Sequence, residues 1–185
     1  MVGHKAVHFA VFSQASLLAA LLVSHVLLPF VIFTPRGVSN YGVYWPSVVP
    51  YTLGLGMYAV FVFFSARHYS AEYAGLRRML YVLAALLAVV LFSTYFYKLS
   101  PALDTAHRLA GTALVSWQIL IGYKFVKLIN WRVFEYLLLL TMLASAVLMA
   151  MSLFTPAGFL SIFQVMFAAA FGVLYVSATA QLHRG

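Results

Sequence analysis

Asp104, His107 and Arg108 stand close together in the segment SPALDTAHRLAG. On a helix, positions i, i+3 and i+4 share a face, so carboxylate, imidazole and guanidinium can converge on one ligand or orient one another. That set suits an anionic headgroup or acid–base work. The same residues also read as a helix start: Ser100 or Asp104 caps the first turn, Asp104 favours the positive end of the helix dipole, and Arg108 reaches toward headgroups.

A second candidate is His25, which follows Ser24 inside a long apolar stretch. A titratable side chain within such a stretch is a functional hypothesis by default, because leaving it unsatisfied in an apolar setting costs several kcal/mol. A hydrogen bond to a neighbouring helix or to Ser24 would satisfy it. The segment TPRGVSNYGVYWPS, about residues 34–47, is rich in Gly, Pro and Asn and reads as a structured turn. Arg36 and Asn40 on it complete a candidate ligand site made of His25, Arg36, Asn40, Asp104, His107 and Arg108. His25 and His107 invite comparison with axial haem ligands, but two helical histidines without paired partners are a weak signal. No cofactor and no metal site are expected, and no catalytic residue is assigned.

The elements that carry these residues follow from composition. Of 185 residues, 65% are hydrophobic and 8% are charged, against about 25% charged residues in soluble domains. A soluble fold would leave too much apolar surface in water. A bilayer-spanning helix needs about 20 apolar residues, because backbone amides in hydrocarbon must be satisfied within the segment. Six stretches qualify, at about 6–33, 48–66, 79–97, 106–126, 133–154 and 158–181. The expected architecture is an all-α bundle of six transmembrane helices forming one domain over 1–185. The apolar run after Lys5 is too long for a cleaved leader and reads as a retained first helix.

Charge distribution gives the orientation. Lys5, Arg67, Arg77, Arg78, Lys124, Lys127, Arg132 and Arg184 fall on the side of the termini, against Arg36, Lys98 and Arg108 on the other. The positive-inside rule then places both termini in the cytoplasm and the candidate site outside. The basic excess serves this purpose, so nucleic acid is not an expected partner. Tyr44, Trp45, Tyr97, Tyr123 and Trp131 near the span ends fit interfacial belts. Gln14, Ser93, Thr94, Ser116, Gln118, Thr141, Ser145, Gln164 and Ser177 read mostly as bonds between helices, with Ala144 and Gly172 allowing close approach. Gly54 and Gly56 read as packing residues. Glu135 is expected to pair with Arg132 or to face headgroups.

Absences narrow the function. Without cysteine there is no thiolate nucleophile, and no mid-span Lys, Arg ladder, His-Glu metalloprotease motif or Gly-x-Ser-x-Gly elbow is present. This weighs against an enzyme of a familiar kind. The stretch PRGVSNYGVYWPSVVPYTLGLGMY, with Ser39 and Gly42 in a Ser-x-x-Gly turn, and His107 in DTAHRLAGTALVSWQ resemble small six-helix families. These are prokaryotic membrane proteins of unknown function, with the DRAM-like autophagy modulators and GPI-anchor remodelling proteins as similar families. The resemblance implies a lipid-associated role. Those families commonly carry an acid after the Ser, where this chain has Asn40. The leading expectation is therefore a multi-pass protein whose partners are membrane lipids, binding or remodelling them at its outer face. A non-catalytic subunit or scaffold packing against other membrane proteins is the alternative. A small channel or transporter is a third, disfavoured because no polar stripe lines a span.

Overall fold

The computed structural model describes residues 2–34, 37–152 and 159–184. Six helices follow in order: α1 (His4–Leu27), α2 (Val48–Arg67), α3 (Ala74–Thr94), α4 (Pro101–Leu128), α5 (Val133–Ser152) and α6 (Leu160–Arg184). All six are long and apolar enough to cross a membrane. Among the described residues there is no strand, only an isolated bridge between Val2 and Tyr69.

Each helix packs chiefly on its neighbour in sequence, α6 closes back on α1, and α4 meets α5 and α6 only sparsely. The two termini touch. The Val2 amide donates to Leu182 O at 3.4 Å, and His183 Nδ1 lies 2.6 Å from Val2 O. The Gly3 amide donates to His68 O at 3.0 Å, so the α2–α3 connection shares this terminal end. The turn after α1 and the start of α4 lie at the opposite, distal end.

The boundaries depart from expectation where proline and capping chemistry act. The first apolar stretch does not run as one helix to residue 33: α1 stops at Leu27, and Pro29–Phe33 form a 3-10 turn. Proline has no N–H for the helical ladder and disfavours helical backbone in the residue before it. α4 begins at Pro101 rather than near 106, because the Ser100 hydroxyl accepts from the Leu103 amide at 3.2 Å and proline fits the first turn. Asp104 is thereby inside the first turn. Pro156 and the expected start of the sixth helix at 158 lie outside the described residues.

Packing shows the helical period. Leu76, Leu80, Leu83 and Leu87 of α3 are all at most 1% exposed and form one stripe. Gly54 sets the α1–α2 crossing, since a Cβ there would lie 1.9 Å from Ala20 Cβ and 2.9 Å from Ser16 O. Gly172 admits the buried Gln14 side chain, whose Oε1 lies 2.6 Å from where a Cβ would stand. Gly56 has ordinary room around it, and Ala144 faces outward rather than into a helix contact. Leu22, Val26, Phe92 and Val147 are also exposed, as apolar side chains facing hydrocarbon would be.

Glu135 is buried at the terminal end of α5, where its Oε1 accepts from Ser177 and Gln181 of α6 instead of meeting Arg132. α4 and α5 join through Asn130 and Trp131, both at positive φ, with the Trp131 amide closing onto Val126 O at 2.9 Å.

Candidate functional site

The distal turn is locked from three sides. Gly37 adopts φ +69°, and a Cβ there would lie 2.2 Å from Gln164 Oε1, which accepts from the Val38 amide at 2.8 Å. Only glycine combines that backbone with so close a neighbour. The Tyr97 hydroxyl, just beyond α3, donates to Asn40 Oδ1 at 2.8 Å, while Asn40 Nδ2 donates to Thr34 Oγ1 at 2.7 Å. The Ser47 hydroxyl is within 2.8 Å of Tyr41 O and 2.9 Å of Tyr44 O. The turn, α3 and α6 are thus held in one register.

This frame presents Ser39 to α4. His107 Nε2 lies 2.9 Å from Ser39 Oγ, and its Nδ1 lies 2.8 Å from Ser93 Oγ of α3. The Tyr97 ring stacks on the imidazole with centroids 5.0 Å apart and planes 19° from parallel. Tyr51 of α2, itself buried, lines the same cavity as Ser39.

Asp104 and Arg108 pair with each other, with Arg108 Nε donating to Asp104 Oδ2 at 3.1 Å. The three α4 residues therefore do not converge on one another. The ion pair lies at the more exposed edge while His107 turns inward to the two serines. An exposed pair of this i,i+4 kind stabilises a helix by about 0.3–0.5 kcal/mol, so the fold draws little from it.

All three residues nevertheless border one cavity of about 430 Å³, within the range of about 300–1,000 Å³ typical of small-molecule sites. It runs through the bundle beside α4, lined by residues of all six helices and of the distal turn. Ser39, Tyr97, Asp104, His107 and Arg108 stand at its distal end, Leu17, Leu21, Leu55 and Phe167 form apolar walls, and Gln118 lies deeper. Thr112 and Ser116 of α4 and Ala150 of α5 are both exposed and part of the lining, so the cavity opens to the surface along α4. The sequence suggested no polar stripe along a span, yet Asp104, Arg108, Thr112 and Gln118 recur on the cavity side of α4.

The other candidates fall elsewhere. His25 Nδ1 lies 3.2 Å from the Tyr41 hydroxyl, which ties α1 to the distal turn away from the cavity lining. Burial raises the Tyr41 phenol above its usual value. Asn40 is 3% exposed and serves as a latch rather than a ligand contact. Arg36 lies outside the described residues. Tyr97, expected in an interfacial belt, is 2% exposed and belongs to the site, whereas Tyr44 and Trp45 are exposed, with Lys98 Nζ 4.0 Å above the Tyr44 ring. Sequence reasoning missed Ser39 and Ser93 as partners of His107. The available signals were a serine in the turn after the first span and a second one inside α3.

Compared with known proteins, the chain matches no family model, no curated protein and no solved structure.

Proposed function

We propose that this six-helix membrane protein binds a single amphiphilic lipid, with its chain in the cavity beside α4 and its headgroup at the distal polar edge. The observation that carries this reading is that one cavity joins apolar walls to a carboxylate, an imidazole and a guanidinium at its distal end only. A purely structural void would be apolar throughout. The Asp104–Arg108 pair offers one charge of each sign, which suits a zwitterionic headgroup with its phosphate toward Arg108 and its ammonium toward Asp104. The basic residues gathered at the terminal end support a distal site on the outer side of the membrane.

The test is native mass spectrometry of the protein purified in mild detergent. Gly111 lines the cavity, and a Cβ there meets nothing within 4 Å. Gly111→Phe should therefore fill the space while leaving the bundle folded. Wild type is expected to retain lipid and Gly111→Phe to lose it at an unchanged melting temperature. Equal lipid occupancy in both would defeat the binding site and leave the scaffold reading in front.

A further inference from the structure

We infer that the cavity is also a serine-esterase site, in which Ser39 is the nucleophile, His107 the general base, and Ser93 the residue that orients the imidazole; this rests on the lipid-binding reading above.

The argument is directional hydrogen bonding. Ser93 Oγ donates to Val90 O at 3.0 Å, which uses its only proton. With that proton on Val90 O, Ser93 Oγ accepts from His107 Nδ1, 2.8 Å away, and in that arrangement the neutral ring carries its proton on Nδ1. Nε2 is left with its lone pair. Its partner at 2.9 Å is Ser39 Oγ, which in that tautomer donates. The chain therefore runs Ser39→His107→Ser93→Val90 carbonyl, which is the order in which a nucleophilic hydroxyl, its base and an orienting acceptor are arranged for acyl transfer. An uncharged orienting acceptor stabilises the imidazolium less than a carboxylate would, so the expected chemistry is slow.

Ser39 borders the cavity and is only partly buried, so an ester carbonyl entering with its chain in the cavity beside α4 can reach it. The ring cannot swing easily, because Tyr97 stacks on it and is itself held by Asn40. Tyr51 lines the same cavity, and its hydroxyl is the donor this proposal assigns to a developing oxyanion.

The substrate class is a carboxylic ester of a single-chain amphiphile. Ser39 Oγ bonds to the carbonyl carbon and its proton passes to His107 Nε2. The carbon–oxygen bond to the alcohol breaks, and the alcohol leaves with that proton. Water then attacks the acyl–Ser39 ester, His107 takes its proton and returns it to Ser39 Oγ, and the carboxylic acid departs. No oxidant or reductant enters.

The test treats full-length protein in detergent micelles with an alkyl fluorophosphonate and then locates the adduct by peptide mass spectrometry. The expected result is a stable adduct on Ser39 that disappears in Ser39→Ala and His107→Gln and forms more slowly in Ser93→Ala. The same preparations are given lysophosphatidylethanolamine, and fatty-acid release should be lost in the same variants. Absence of an adduct on wild-type Ser39, or labelling undiminished in His107→Gln, overturns the proposal, and the wild-type arm needs no variant to fold. Native mass spectrometry separates the two readings. Bound lipid without an adduct leaves a binder that is not an esterase, whereas an adduct without retained lipid removes the binding reading while the nucleophile stands.

Discussion

Ser39 and His107 are 68 positions apart in the chain and meet at 2.9 Å, one on the turn after α1 and the other just inside α4. Neither residue is placed by its own helix alone. The turn is fixed by Asn40, Gly37 and Gln164, and α4 is started at Pro101 by the Ser100 cap, so the contact depends on side chains that touch no ligand.

Asn40 is the residue whose loss should loosen that frame most. Asn40→Ala removes the bonds to Tyr97 and to Thr34 in a site 3% exposed to solvent. Breaking a buried hydrogen-bonded pair costs about 1–3 kcal/mol, so the melting temperature in detergent should fall clearly. Asn40→Asp keeps the acceptor for Tyr97 and should be milder toward that partner. An unchanged melting curve for Asn40→Ala would show that the turn is held by other contacts.

The α1–α2 crossing gives a sharper contrast. Gly54→Val must push apart backbones that already meet at Ala20 and Ser16, and overpacking of this kind costs typically about 1–3 kcal/mol. Gly56→Ala meets only Leu91 Cδ2 at 3.8 Å and should be tolerated. Thermal unfolding of the two variants side by side checks this, and equal stability would mean that the crossing is not set by Gly54.

How much of this was legible in the sequence varies with the range of the interaction. Six spans follow from local composition, since each helix satisfies its own backbone and needs only enough apolar length. The pairing of Asp104 with Arg108 follows from the i,i+4 rule, again a local property. What was not legible is long-range. The partners of His107 come from α3 and the distal turn, and Tyr97 was read as interfacial because nothing local distinguishes a tyrosine at the membrane edge from one stacked on an imidazole. Glu135 was assigned to nearby Arg132 for the same reason, when Ser177 and Gln181 on α6 receive it. The polar residues inside the spans also split. Thr94 and Thr141 bond back to their own helices, while Ser93 and Gln164 build the site.

Alkaline titration should expose the buried tyrosine between α2 and α3. Burial raises the Tyr69 hydroxyl well above the usual phenol value of about 10, with the hydrogen bond to Thr179 opposing by less. Because the folded value is the higher one, the stabilisation is complete below pH 10 and is lost as pH climbs from the unfolded value toward the folded one. Stability should thus decline above about pH 10. Tyr69→Phe should flatten that decline while lowering stability at neutral pH through loss of the Thr179 contact. An identical alkaline slope in wild type and variant would assign the effect to other groups.

Orientation is decided by which end a membrane-impermeant thiol reagent reaches. The chain has no cysteine, so single introduced cysteines report without background. Leu99 is 72% exposed in the distal turn before α4, and Ala71 is exposed at the terminal end before α3. Basic residues crowd the terminal end, so the positive-inside rule predicts that this end faces the cytoplasm. Leu99→Cys in intact cells should therefore react with reagent added outside, and Ala71→Cys should react only after the membrane is opened. That outcome would put the Asp104–Arg108 rim and Ser39 within reach of lipid in the outer leaflet. If Ala71→Cys labels in intact cells and Leu99→Cys does not, the bundle is inverted, and any ligand of the cavity must come from the cytoplasmic leaflet.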